Sequence, residues 1–335
     1  MAGDKTRIAL LGLVLGSPGN PGQVKDFLLE LFNDPYMLDL PFRKFLARII
    51  ADRRAPKAVA KYEMIGGKSP LMEISRSQVS AIADLLNDDE KEVQPFLAAR
   101  YLEPSLPGAL SSIASGGFDI VVALPLYPHQ SRVTTGSSLA RLHSIAPDFK
   151  LSGRIIEIGS YCDHPGYISS LASTVEQALK KLGTTQKDTH LLFAAHSIPL
   201  KLAGKGDPYP GQVKRTVQAI LEKLKWTGTH SLAFQSRAGP VSWLGPGTSE
   251  EVKRLAASGT RNILVVPTSF VSDHLETLFD LDIELARIAA KEGIKGYARA
   301  PALNDRPEFI SALALMVNDE ISRTTNKNTS MFGPS

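Results

Sequence analysis

Two stretches of this chain carry residues whose types and spacing could do chemistry. The first is Leu191–Pro199, Leu-Leu-Phe-Ala-Ala-His-Ser-Ile-Pro, an apolar run that stops abruptly at His196, Ser197 and Pro199. A short apolar run bounded in this way reads as a buried parallel strand. Pro199 cannot continue a hydrogen-bonded ladder. His196 is therefore expected at the carboxyl end of a central strand, the edge at which open α/β sheets bind ligands. A neutral imidazole there can take a proton or offer a lone pair near neutral pH. The plainer reading is a structural histidine with its hydrogen bonds met.

The second stretch is Ser272-Asp273-His274-Leu275-Glu276. Asp273 with Glu276 three residues later reads as a capping box at a helix start. Beyond it Glu276, Asp280 and Glu284 follow at i, i+4 and i+8, one acidic line along a helix. Like charges so placed repel by a few tenths of a kcal/mol per pair. A solvated face would normally mix signs, so the line points to cation handling by hard oxygen ligands. His196 and Glu276 are natural candidates for holding a divalent metal.

Composition narrows the classes. The 335 residues are 43% hydrophobic and 21% charged, with a net charge of +4. These are the proportions of a globular protein able to bury a core unaided. The small net charge makes no case for a nucleic-acid partner. Cys162 is the single cysteine, so one chain cannot build a disulfide framework or a Cys-ligated iron–sulfur cluster. No apolar stretch approaches the ~20 residues of a membrane span, and the N-terminus shows no cleavable signal. A cytoplasmic location is expected.

The elements that must position these residues alternate regularly. Strands are expected at Ile8–Leu15, Phe96–Leu102, Phe118–Leu126, Arg154–Ile158, Leu191–Ala195, His230–Phe234, Asn262–Val266 and Tyr297–Ala300. Helices are expected at Gln23–Phe32, Leu40–Arg54, Leu71–Leu86, Pro107–Ser115, Leu139–Ile145, Tyr167–Lys181, Gln212–Lys225, Thr248–Ser258, Asp273–Glu292 and Arg306–Ser322. Ser69 can cap the helix that Pro70 opens, and the tail Thr324–Ser335 reads as polar and frayed. Such alternation means parallel sheets covered on both faces. The pattern runs twice without obvious identity between its halves. An α/β chain of two doubly wound, Rossmann-like domains follows, residues 1–165 and 166–335, with a cleft between them. Many strand ends carry polar or aromatic residues beside proline, among them Arg100-Tyr101, Tyr127-Pro128 and Gln235-Ser236-Arg237. On parallel sheets these gather along one rim, as a cleft with apolar walls and a few convergent polar groups. Leu40–Arg54 joins an apolar stripe (Phe42, Phe45, Leu46, Ile49, Ile50) to a basic face (Arg43, Lys44, Arg48, Arg53, Arg54). It reads as an ordinary amphipathic helix or, more sharply, as a lip that touches a membrane or a greasy anionic ligand.

The order of the motifs resembles the ferrochelatases, which insert ferrous iron into a porphyrin. The resemblance rests on Arg53-Arg54-Ala55-Pro56-Lys57, Ile65–Leu71, Tyr127-Pro128 with Thr134-Thr135-Gly136-Ser137-Ser138, and Ala195–Pro199. It continues through Gly206-Asp207-Pro208-Tyr209-Pro210, Gln235-Ser236-Arg237 with Gly239-Pro240, Trp243-Leu244-Gly245-Pro246 and Phe270–Leu278, and spans roughly residues 7–320. It implies a porphyrin cleft between the domains, with porphyrin and Fe²⁺ as substrates and no permanently bound cofactor. His196 and Glu276 match the family's catalytic and metal-handling pair. Asp273 and His274 match their polar neighbours, and Asp280 and Glu284 continue a metal or proton path. Leu15, Arg53, Arg54, Tyr62, Ser69, Arg100, Tyr127 and Trp243 match positions at or near the porphyrin. Residues 40–54 match the lip, giving a weak peripheral contact with the inner face of a membrane. Two features depart from many relatives: the first loop reads Val14-Leu15-Gly16-Ser17-Pro18, and the cysteines of cluster-bearing members are missing. The Thr134–Ser138 and Gly66–Pro70 segments look more like the protoporphyrin-using branch than the coproporphyrin-using one. Rival readings are a cobalt chelatase of the sirohydrochlorin type, a non-catalytic porphyrin or haem carrier on the same fold, and a two-domain small-ligand binding protein.

Overall fold

Nine residues from Thr6 to Val14 form the first strand, β1, and its apolar side chains alternate between two cores. Ile8 and Leu10 enter one cluster; Ala9, Leu11 and Leu13 enter another. That period of two is what a strand buried on both faces requires. The computed structural model describes residues 5–37, 41–236 and 241–331, with side chains to residue 324. After β1 come α1 (Val24–Asn33), α2 (Arg43–Met64), α3 (Leu71–Leu86), β2 (Lys91–Ala99), α4 (Leu106–Gly116) and β3 (Ile120–Pro125). A π-helical turn (Arg132–Gly136), α5 (Ser137–Ile145), β4 (Ile155–Glu157) and α6 (Pro165–Leu182) complete the first series. The second runs β5 (Thr189–His196), α7 (Leu200–Ala203), α8 (Tyr209–Leu224), β6 (His230–Gln235), α9 (Thr248–Ala257) and β7 (Asn262–Pro267). It ends with a π-helix (Glu276–Leu285), α10 (Ala286–Lys291), β8 (Gly296–Arg299) and α11 (Pro307–Met331).

Among the described residues the strands form two four-stranded parallel sheets of the same order, β2-β1-β3-β4 and β6-β5-β7-β8. This is the expected α/β architecture of two doubly wound, Rossmann-like halves. The outer faces are covered by α4 and α5 on the first sheet and by α9 and the π-helix on the second. The inner faces share one core, in which Leu10 and Phe193 belong to the same cluster as Tyr167 of α6 and Phe309 of α11. Burying each such side chain contributes roughly 1.5–3 kcal/mol.

The register shows a repeat that residue identities hide. Leu13 pairs with Pro125 and Ala98, and Ala194 pairs with Pro267 and Ala233. The next donors match as well: Leu126 N–H to Leu13 O at 3.0 Å, Thr268 N–H to Ala194 O at 2.9 Å. Two residues on, Leu15 therefore stands where the second half has His196, and Arg100 where it has Gln235. In both halves a π-helical segment follows the third strand. The switch point of this strand order lies beside the first strand of each sheet, which places both strand ends at the crevice.

Several expected boundaries move. β2 begins at Lys91 rather than Phe96 and ends at Ala99 rather than Leu102. As an edge strand with an exposed start it carries polar residues that mask its pattern, and Leu102 turns the chain away at φ 65°. The second helix runs from Arg43 to Met64, well past Arg54 and through Pro56, until Gly66 and Gly67 adopt positive φ; Leu40 lies outside the described residues. The single helix expected over Asp273–Glu292 is a π-helix that begins at Glu276 and passes into α10. The tail expected to fray is helical as far as Met331, the last turns of α11.

Candidate active site

His196 ends β5, and its backbone is gripped on both sides. Its N–H donates to Ser269 Oγ at 2.9 Å, and its carbonyl accepts the Tyr209 hydroxyl at 2.8 Å. The imidazole Nδ1 lies 2.9 Å from Glu276 Oε2, across 80 residues of sequence. An ionised carboxylate only accepts, so Nδ1 carries the hydrogen and Nε2 is the nitrogen free for chemistry. Gln235, the β6 neighbour of His196, donates its amide to the same carboxylate oxygen at 3.2 Å. His274 closes the group. Its Nδ1–H donates to the Ser272 carbonyl at 3.1 Å, its Nε2 lies 3.9 Å from Glu276 Oε2, and its ring packs 4.7 Å from Phe270.

The electrostatics divide these groups. Burial works against a charged His196, but the Glu276 carboxylate, supported by Asp280, outweighs it and raises the imidazole pKa above 6.5. Burial alone would raise Glu276; His196, His274 and the Gln235 amide together hold it well below 4.5. For His274 burial wins, and its pKa falls below 6.5 despite the same carboxylate. The result is a carboxylate flanked by one readily protonated imidazole and one kept neutral. A base whose pKa is raised holds an abstracted proton more firmly, and opposed environments are how neighbouring groups acquire distinct roles.

The acidic line exists but is wound as a π-helix, whose wider turn still stacks residues four apart. Such windings recur at functional sites. Burial, then the Glu276 charge, raises Asp280 to about 6; Lys61 opposes this and Glu284 adds to it. Lys61 Nζ sits 2.7 Å from Asp280 Oδ1 and 4.7 Å from the centre of the Phe279 ring. Asp273 does not cap the helix, and no capping box forms with Glu276. The Thr277 hydroxyl accepts the His274 N–H at 3.0 Å and donates to Asp273 at 2.8 Å. The Asp273 carboxylate is taken instead by Arg299 at 3.2 Å and the Asn304 amide at 3.0 Å. Arg299 and Asn304 are far along the chain, so local spacing could not reveal them.

The likeness extends to known proteins. The family model for ferrochelatase matches residues 7–321. The chain is 42% identical over 317 residues to the ferrochelatase of Geotalea daltonii, covering 94% of this chain and 97% of that one. It is 39% identical to the ferrochelatase of Aquifex aeolicus, covering 92% and 97%. The chain belongs to the ferrochelatase family. Like other ferrochelatases it is a lyase that inserts iron into a porphyrin. Among solved structures SirB from Bacillus subtilis with Fe³⁺ aligns at a TM-score of 0.57 and 12% identity, over 96% of this chain and 98% of that one. The sirohydrochlorin chelatase SirB of Bacillus subtilis subspecies spizizenii in complex with cobalt aligns at 0.54 and 11%, over 96% and 97%. At such identities the likeness is one of fold.

The residues matched to the ferrochelatase porphyrin site fall in several settings. Tyr62 is 5% exposed at the end of α2, where burial and then the nearby Glu276 charge raise its phenol. Trp243 is half-buried, its backbone bridged antiparallel to Pro199, so it flanks the loop that leaves His196. Leu15 is half-buried at the end of β1, and Tyr127 packs with its hydroxyl buried. Arg100 binds Asp34 at 2.6 Å and lines a cavity of about 500 Å³ at the ends of β1 and β2. Arg53 is exposed on α2, whereas Arg54 stacks 5.3 Å from the Phe32 ring. The Ser69 hydroxyl accepts the Leu71 N–H at 3.2 Å, serving the start of α3. Arg237, Gly239 and Pro240 lie outside the described residues. Sequence reasoning did not single out Lys61, Gln235, Tyr209 or Ser269 as site residues. Gln235 and Tyr209 stood inside quoted motifs and carried that signal; Lys61 and Ser269 carried none.

Proposed function

We propose that this ferrochelatase acts on protoporphyrin IX, with His196 Nε2 taking a pyrrole proton and Glu276 stabilising the imidazolium that results. The observation that carries the catalytic reading is the 2.9 Å pair between His196 and Glu276 at the carboxyl end of β5. Metallation must remove two pyrrole protons and strip water from Fe²⁺. A base of raised pKa held against a carboxylate takes one proton, passes it on to that carboxylate or to water, and is then free to take the second; hard oxygens on Glu276, Asp280 and Glu284 suit the stripping of water from the metal. No resident cofactor is required by this chemistry.

The choice of protoporphyrin rests on the Thr134–Ser138 and Gly66–Pro70 segments and on the mouth. At the start of α2, which the resemblance matches to the lip, Phe42 is 87% exposed and Phe45 67%. An apolar lip suits an edge bearing vinyl groups better than one bearing propionates throughout. The deciding experiment is anaerobic iron insertion with protoporphyrin IX and coproporphyrin III in parallel, followed by the absorption spectrum of the product. Faster metallation of coproporphyrin III reverses the assignment. Binding of either porphyrin without any metalloporphyrin formed would make the chain a carrier.

The same lip supports a second role, reversible attachment to an anionic membrane surface from the cytoplasmic side. Phe42 and Phe45 stand beside Arg43, Lys44 and Arg48, the combination that interfacial helices use. Among the described residues no helix is long and apolar enough to cross a membrane.

A further inference from the structure

The turn Arg132–Gly136 belongs to the first half of the chain but is anchored in the second. Val133, 7% exposed, packs in one cluster with Ala195 and Ile198, which flank His196, and with Tyr209. Asp207 fixes the same turn by polar contacts. Its Oδ2 accepts the Ser131 hydroxyl at 3.0 Å and the Arg132 N–H at 2.9 Å. Its Oδ1 accepts the N–H of Tyr209, the first residue of α8, at 3.0 Å. Tyr209 is 6% exposed and reaches from there to the His196 carbonyl. One carboxylate thus joins the opposite half of the molecule to the backbone of the catalytic histidine.

We propose that Asp207 is a positioning residue for metal insertion: it sets His196 against the opposite half by pinning the Arg132–Gly136 turn and, through Tyr209, the His196 carbonyl. The inference rests on the iron-insertion reading of the site. His196 lies at a strand end, where the ladder to β7 has already stopped and only β6 still pairs with it, so its orientation depends also on Ser269 and Tyr209. Bonds to a carboxylate are stronger and more directional than neutral ones. Displacing a reacting group by about 1 Å can cost ~100-fold in rate. Asp207 touches neither Glu276 nor the His196 ring, so its loss should change the placement of the base and leave the porphyrin-binding residues in place.

The test uses the full chain and whichever porphyrin the unmodified protein metallates faster, with Fe²⁺ supplied anaerobically. Asp207→Asn is expected to lower kcat roughly tenfold while KM for porphyrin and for Fe²⁺ stays within about twofold. Tyr209→Phe, which keeps the ring but loses the bond to His196, is expected to do the same. The double variant should fall no more than about twofold below the worse single variant, because both changes release one group. Ser131→Ala, which removes one of the bonds from the opposite half, should lower kcat about threefold and serves if the Asp207 variants do not fold. Asp207→Asn with unchanged kcat and only a lower thermal midpoint overturns the proposal. So does a fully multiplicative loss in the double variant, or an unaffected Ser131→Ala. An unmodified chain that metallates neither porphyrin counts against the iron-insertion reading itself and is seen before any variant is made.

Discussion

Lys61 and Asp280 are 219 residues apart in sequence, yet their side chains meet at 2.7 Å. The contact ties α2, which carries the exposed Phe45 and the buried Tyr62, to the π-helix that carries Glu276. It also places a cation on the second member of an otherwise acidic line. Even so, Asp280 remains raised from 3.8 to about 6, because burial and the neighbouring carboxylates outweigh the lysine.

That shift has a sign for stability. A carboxyl whose folded pKa lies above its unfolded value stabilises the fold below the unfolded pKa, and this contribution is lost as pH rises through the folded one. The loss therefore falls between pH 3.8 and about 6 and amounts to up to ~3 kcal/mol. Asp280→Asn should stabilise the protein above pH 6 by roughly 1–3 kcal/mol, read from urea midpoints across pH. If the line passes metal or protons, Asp280→Asn and Glu284→Gln should also slow insertion while porphyrin affinity, measured by fluorescence quenching, stays nearly unchanged. Normal rates in both variants would assign the two outer acids to electrostatic roles in the fold alone.

His196→Ala should abolish insertion, with a loss of at least ~100-fold, and leave a folded chain that still binds porphyrin. The side chain caps no helix, so the losses are the partner of Glu276, at roughly 1–3 kcal/mol, and an edge contact with the Phe270 ring. Glu276→Gln should be more damaging than either outer variant, since it alone contacts His196. Near-normal turnover in purified His196→Ala would remove His196 from the mechanism.

His129 sets an acid limit. It is 2% exposed, and its Nε2 lies 2.8 Å from the Thr216 hydroxyl. Burial, then Arg215, lowers its pKa from 6.5 to about 3. A histidine with a depressed folded pKa destabilises the fold as pH drops below its unfolded value, because only the unfolded chain takes the proton. Between pH 6.5 and 5 the loss should reach about 2 kcal/mol. His129→Gln, which keeps a donor for Thr216, should flatten that part of the stability profile. An unchanged slope would point to other groups as the cause.

The lip can be tested apart from catalysis. The unmodified protein should co-sediment with anionic vesicles at low salt and be released as salt rises, since one amphipathic helix with several cations binds reversibly. Phe42→Ser with Phe45→Ser should remove the binding and leave the His196–Glu276 site untouched. No sedimentation of the unmodified chain at low salt would confine the lip to the porphyrin.

Much of this was legible in one sequence. Apolar runs and helical periodicity located all eight strands of the described residues, because burial on one or both faces dictates those patterns. Pro199 foretold that β5 ends within the preceding few residues, through local backbone chemistry, whereas α2 outran its expected end at Arg54 and stops only before Gly66-Gly67. His196 at a strand end followed from the same reasoning. What the tertiary structure alone decided is which groups meet. The spacing of Asp273 and Glu276 indicated a capping box; Arg299 and Asn304 draw the Asp273 carboxylate away, and His196 takes that of Glu276. The helix that follows is wound as π rather than α, and its acidic line is met by Lys61. The equivalence of Leu15 with His196 appears only in the register of the two sheets. Local pattern reports how each segment hides its apolar surface; it carries no record of which distant carboxylate, lysine or hydroxyl the finished packing brings within hydrogen-bonding distance.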